Sequence, residues 1–102
     1  MSPADVDYAP AEDGEFLMVI DGVFFIMGRG LVATGCVQRG SVVLGDKLLV
    51  VGEDTSLDTS CAAIEMFNRE LDRAVVGDCV GILLAGLAKG QVSKGMAVTG
   101  PA

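Results

Sequence analysis

VFFIMGRGLVATGCVQRG, residues 23–40, is the stretch whose reading decides the fold. It reads as two apolar strands joined by a glycine-bracketed arginine turn, Gly28-Arg29-Gly30. The second strand carries Thr34-Gly35 and ends at Arg39-Gly40. Glycines on both sides of Arg29 permit a tight turn from which one cation projects. Arg29 then serves either as a solvated turn residue or in an ion pair, across the barrel or to a partner domain. Phe24 and Phe25 are neighbours, so a strand sends them to opposite sides. One is expected in the core and the other on the outer surface.

Outward from this hairpin the pattern repeats. The span from Phe16 to Gly100 contains no proline, as expected where most residues donate to a sheet. Apolar segments of strand length alternate with glycines at positions 40, 45, 52, 77, 86, 90 and 95. Strands are expected near Phe16–Ile26, Leu31–Gln38, Asp46–Val51, Leu57–Asn68, Cys79–Ala85 and Met96–Thr99. Residues 61–71 have the propensity of a helix. The alternation at Ile64, Glu65 and Met66 favours a strand there, and we read it so. Short strands at regular spacing predict an all-β fold: a small, closed, antiparallel barrel of six to seven strands. Closure also removes the exposed edges of so apolar a sheet. The expected core holds Ile20, Phe24 or Phe25, Val32, Leu48, Ile64, Val80 and Leu83. A Gly-Asp step occurs twice, at Gly45-Asp46 and Gly77-Asp78, each before an apolar run, and reads as turn chemistry.

At 102 residues the chain is of single-domain size. Its net charge of −7 is uneven. Residues 1–15 hold five acids, two of the three prolines and no base, and read as a flexible acidic tail. Residues 16–102 form the barrel domain, with nine acids, seven bases and a net charge of only −2. No basic patch suits an extended nucleic-acid groove. The run FLMVIDGVFFIM is broken by Asp21-Gly22 and is too short to span a bilayer. No basic segment precedes it, so no signal peptide is read and the expected location is cytoplasmic.

The residue inventory speaks against catalysis. There is no histidine, hence neither the commonest general base nor a common metal ligand. The pattern GxxxxGK[ST] is absent, so no phosphate-binding loop is read. Glu53-Asp54 lies in a polar loop and reads as solvated charge. The three cysteines, Cys36, Cys61 and Cys79, form no CxxC pair and read as buried, reduced thiols. No metal, cofactor or catalytic residue is expected.

The hairpin and the segments after it resemble domain 2 of elongation factor Tu, the β-barrel that follows the GTPase domain in translation factors. FLMVIDGVFFIMGRG (16–30) resembles that family's opening strand and turn, and LVATGCVQRG (31–40) its second strand. SVVLGDKLLVVG (41–52) is similar to its third, and SCAAIEMFNRELD (60–72) carries its Glu-Met-Phe signature. VGDCVGILLAG (76–86) and KGMAV (94–98) resemble its last two strands. The resemblance runs from Phe16 to about Pro101 and implies a barrel of the translation-protein type. It also implies a non-catalytic binding module. In the family this domain packs against the GTPase domain and holds the aminoacylated adenosine at the tRNA 3′ end. The acidic residue near that adenosine falls on Asp21, pocket residues on Phe24, Val32 and Thr34, and an amino-group-binding asparagine on Cys79. With Arg29, these are the candidate binding residues. Gly22 stands where the family has a second acid, Cys79 where it has an amide, and Ala85 where it has a base. The expected role is therefore an adaptor for a protein partner, such as a translation GTPase. The alternative is a weak binder of the aminoacylated 3′ end of tRNA.

Overall fold

The computed structural model describes residues 15–100, and every described element is a β-strand. The acidic tail read at residues 1–15 lies, apart from Glu15, outside the described residues. Ten strands succeed one another in the order β1 (Phe16–Val19), β2 (Gly22–Ile26), β3 (Gly30–Arg39), β4 (Ser41–Val43), β5 (Lys47–Val51), β6 (Ser56–Met66), β7 (Arg69–Leu71), β8 (Arg73–Val75), β9 (Cys79–Leu84) and β10 (Ala97–Gly100). The pairing order β1-β10-β5-β6-β9-β3 is closed by β3 pairing back to β1, giving a six-stranded antiparallel barrel. β2 extends the sheet beyond β3, β7 is a short return on β6, and β4 and β8 form a separate ribbon.

Period-two burial explains the closure. Met18 of β1, Val37 of β3, Leu48 and Val50 of β5, Ile82 and Leu84 of β9 and Val98 of β10 all point into one core with exposures of 3% or less. Closing the sheet leaves the barrel strands no bare edge. Gly35 sits where β1 crosses β3 closely: a Cβ there would run into the carbonyl of Val19. Only glycine lets the two backbones meet at that point.

The segment with helical propensity is β6. Cys61 and Ile64 are both buried although they lie three residues apart, a helical rather than a strand spacing. The β6–β9 register shifts between Cys61 and Ala63. This bulge re-phases the strand, so that both residues face the core. The helix-like spacing is the trace of a bulge.

Several expectations need correction. The predicted first strand is two, broken at Ile20 and Asp21, and β4, β7 and β8 are additional to the expected strands. Neither Phe24 nor Phe25 enters the core, with exposures of 56% and 46%. β2 lies outside the closed ring, and only Val23 near its start packs against the core, while Phe24, Phe25 and Ile26 are exposed. Leu83 faces outward and is only half-buried, because Val80, Ile82 and Leu84 take the inward positions of β9. Val32 is buried, but on the outer face and apart from the central cluster.

The repeated Gly-Asp step closes two equivalent turns. Asp46 accepts a hydrogen bond from the Val43 N–H, and Asp78 from the Val75 N–H, each at 2.9 Å. These turns end β4 and β8, which pair with each other. Both aspartates therefore act as local turn caps.

Candidate functional site

The outer face of β3, β9 and β6 carries a shallow depression of about 270 Å³. Its floor is Gly81, paired across the sheet with Thr34 of β3 on one side and Glu65 of β6 on the other. A glycine between two longer side chains makes a trough. Asp21 stands at one wall, and Met66 and Phe67 at the other. The Thr34 hydroxyl donates to Asp21 Oδ1 at 2.7 Å, and the Asp21 N–H donates to the Thr34 carbonyl at 2.8 Å. The break between β1 and β2 thus fixes Asp21 against the middle of β3.

Arg29 leaves the turn between β2 and β3. The Arg29 N–H closes that turn on the Ile26 carbonyl at 2.9 Å, with Gly28 at φ 86. The guanidinium pairs with Glu65 at 2.9 Å, both side chains being about one-third exposed. Of the two uses open to Arg29, the structure takes the ion pair across the barrel surface. That pair also orients the Glu65 wall of the trough.

Of the six residues singled out from the sequence, Asp21, Thr34 and Cys79 line the depression together. Val32 lies beside it, since a Cβ on Gly81 would come within 3.2 Å of Val32 Cγ1. Phe24 reaches over from β2, its ring 3.4 Å from where a Gly22 Cβ would stand. Arg29 acts from outside through Glu65.

Sequence reasoning does not single out Glu65, Gly81 or Phe67 as site residues. Phe67 and Asn68 form the two-residue link between β6 and β7, both left-handed with φ 54 and 63. The structure therefore ends β6 at Met66, not Asn68. Asn68 is the legible signal, since asparagine tolerates this conformation and favours such hairpins. Phe67 is 88% exposed in a conformation that costs a bulky residue energy. Such backbone strain clusters at binding sites.

The cysteines also differ from expectation. Only Cys61 is a buried free thiol. Burial first, and the Asp46 charge second, push its pKa up to about 11. Cys36 and Cys79 are exposed and joined in a disulfide, with Cα atoms 3.8 Å apart. They occupy outward positions on neighbouring strands and face each other in register. The Val37 N–H donates to the Asp78 carbonyl at 2.8 Å, which places the pair at a non-hydrogen-bonded position of the ladder. Side chains approach closest there. Sequence spacing could not show this juxtaposition of residues 43 apart. Among the described residues, no group of three or more histidine, cysteine or acidic side chains could hold a metal ion.

A family comparison supports the barrel independently. The model of the elongation factor Tu domain 2 family matches residues 30–99. The chain belongs to the elongation factor Tu domain 2 family. The match spans β3 through β10 but for the final residue of β10, and so contains the barrel strands other than β1. Asp21, Phe24 and Arg29 lie before its first residue. The chain is thus a translation-factor-like β-barrel module, and no helix among the described residues is long and apolar enough to cross a membrane.

Proposed function

We propose that the chain is a non-catalytic binding module that docks a protein partner, a translation GTPase, through the apolar hairpin formed by β2 and its turn. The observation that carries this reading is the exposure of four consecutive apolar residues. Phe24, Phe25, Ile26 and Met27 are 56%, 46%, 38% and 87% exposed. Consecutive exposed apolar residues at a hairpin end mark an interaction surface more than scattered ones do. β2 pairs only with β3 among the described residues, so its outer edge still offers backbone donors and acceptors. Family membership supports a translation-related partner, and the proposed location is the cytoplasm.

The trough favours a second reading, the aminoacylated 3′ end of a tRNA. It combines two carboxylates, Asp21 and Glu65, with the nearby rings of Phe24 and Phe67 over a glycine floor. Stacking on an aromatic and hydrogen bonding to ribose hydroxyls are what a nucleotide end requires. Against it, Asp21 is already held by Thr34 and Glu65 by Arg29, and Cys79 contributes a disulfide sulfur, a weak hydrogen-bonding group.

Calorimetric titration separates the two. The GTPase domain of an elongation factor Tu, stripped of its own barrels, should bind the chain, and Phe25→Ser with Met27→Ser should weaken binding at least tenfold. An intact affinity in that variant rejects the hairpin as the docking surface. Saturable binding of an aminoacyl-adenosine, lost in Gly81→Val, would instead establish the second reading.

A further inference from the structure

We propose that Cys36–Cys79 is a thiol–disulfide exchange site, opened and reclosed on the folded barrel by a dithiol, and that the trough beside it reads its state. This goes beyond the docking reading and needs no particular partner. The disulfide stands on the outer face of the sheet, and both of its cysteines are exposed. β6 flanks β9 as far as the Glu65–Gly81 pair and then turns away at Met66. Beyond Gly81, β3 alone flanks β9 in the barrel sheet, so the Cys79 sulfur can be approached from outside. Exposed disulfides are the labile ones, and covered structural ones resist exchange.

The fold does not need the bond to hold these strands together. The β3–β9 ladder runs from Leu31–Leu84 to Gly35–Val80 on one side of the bridge. On its other side Val37 exchanges hydrogen bonds with Asp78 and Gly77 at 2.8 and 3.0 Å. Opening the disulfide leaves both flanks paired. The third cysteine cannot compete for the bridge, because Cys61 points into the core from β6 and is 2% exposed. Its thiol, raised to about 11, remains protonated at neutral pH.

The exchange balances without another reagent. A thiolate of the dithiol attacks the Cys79 sulfur, the Cys36–Cys79 bond breaks, and Cys36 leaves as a thiolate that takes a proton. The second thiolate of the dithiol then attacks the mixed disulfide and expels Cys79. Two electrons and two protons pass to the protein, and the dithiol becomes a cyclic disulfide. The reverse sequence, driven by an oxidised thiol, recloses the bridge. Cys79 lines the trough within two residues of its Gly81 floor. Releasing its sulfur from Cys36 places a free thiol at that wall, which changes both its shape and its donors.

The full chain, titrated with mixtures of reduced and oxidised dithiothreitol and trapped with N-ethylmaleimide, tests this by intact mass. The expected result is no adduct before reduction, two after it without denaturant, and none when oxidised glutathione is added to the reduced chain before trapping. Cys61 should take a third adduct only on unfolding. Amide spectra should move at Thr34, Gly35, Gly81 and Phe67 while Leu48 to Val50 of β5 stay in place. The double variant Cys36→Ser/Cys79→Ser should fold and reproduce the reduced pattern in the trough. Adducts before reduction, resistance of the bond until the barrel is denatured, unfolding on reduction, or an unmoved trough would each overturn the proposal.

Discussion

Asp21 and Thr34 hold each other twice, backbone N–H to carbonyl at 2.8 Å and hydroxyl to carboxylate at 2.7 Å. This double link pins the gap between β1 and β2 to the centre of β3 and sets one wall of the trough. Asp21→Ala removes the charge-assisted half of it. The expected cost is about 1–2 kcal/mol in denaturant unfolding, because the contact is exposed but engages a carboxylate. A change below about 0.3 kcal/mol would show that the backbone bond alone positions the segment.

The Arg29–Glu65 pair is part-exposed and should contribute little to stability. A double-mutant cycle with Arg29→Ala and Glu65→Ala should return a coupling of about 0.2–1 kcal/mol, falling with added salt. A coupling well above that range would mean that the pair is a structural anchor of the barrel.

Leu48 is 1% exposed and belongs to the central cluster. Leu48→Ala should therefore cost about 2–5 kcal/mol, read from the urea midpoint at unchanged slope. Gly35→Ala should be of similar severity for another reason, since its methyl group would meet the Val19 carbonyl where two strands cross. We expect a loss of roughly 1–3 kcal/mol or more there, and a neutral result would refute the close approach.

Phe67 combines 88% exposure with φ 54. Phe67→Gly should stabilise the barrel by up to about 1 kcal/mol, because glycine adopts this conformation without strain and little burial is lost. If the ring serves the trough, the same variant should bind its ligand more weakly. Thermal unfolding and ligand titration on one preparation measure both effects.

Cys61 supplies a pH signature. Its folded pKa is raised from 9.0 to about 11, so the folded state keeps the proton that the unfolded state loses first. The associated stability is fully present below pH 9 and falls as the pH climbs to about 11. The loss over that window is of the order of 2–3 kcal/mol. Cys61→Ala should flatten this part of the stability–pH profile whatever its effect at neutral pH. An unchanged slope would place the thiol in water.

The barrel was legible because strand length, glycine punctuation and alternating burial are local properties, and each appears in the chain as written. Ile20, Leu48, Ile64 and Val80 are buried as their apolar spacing implies. The Thr34, Asp21 and Cys79 positions could be singled out by resemblance, yet their meeting in one trough depends on the β2–β3–β9 register. Other features belong to the tertiary structure alone. Whether Phe24 or Phe25 is buried depends on where the ring closes, and closure between β3 and β1 leaves β2 outside it. The bulge at Cys61 and Ala63 looks helical in the sequence because only pairing with β9 re-phases the strand. The Cys36–Cys79 bond requires two residues 43 apart to fall opposite one another on the same face. A single step of register would have turned them to opposite sides. Local chemistry specified the strands; the order in which they paired decided what stands on the outer face.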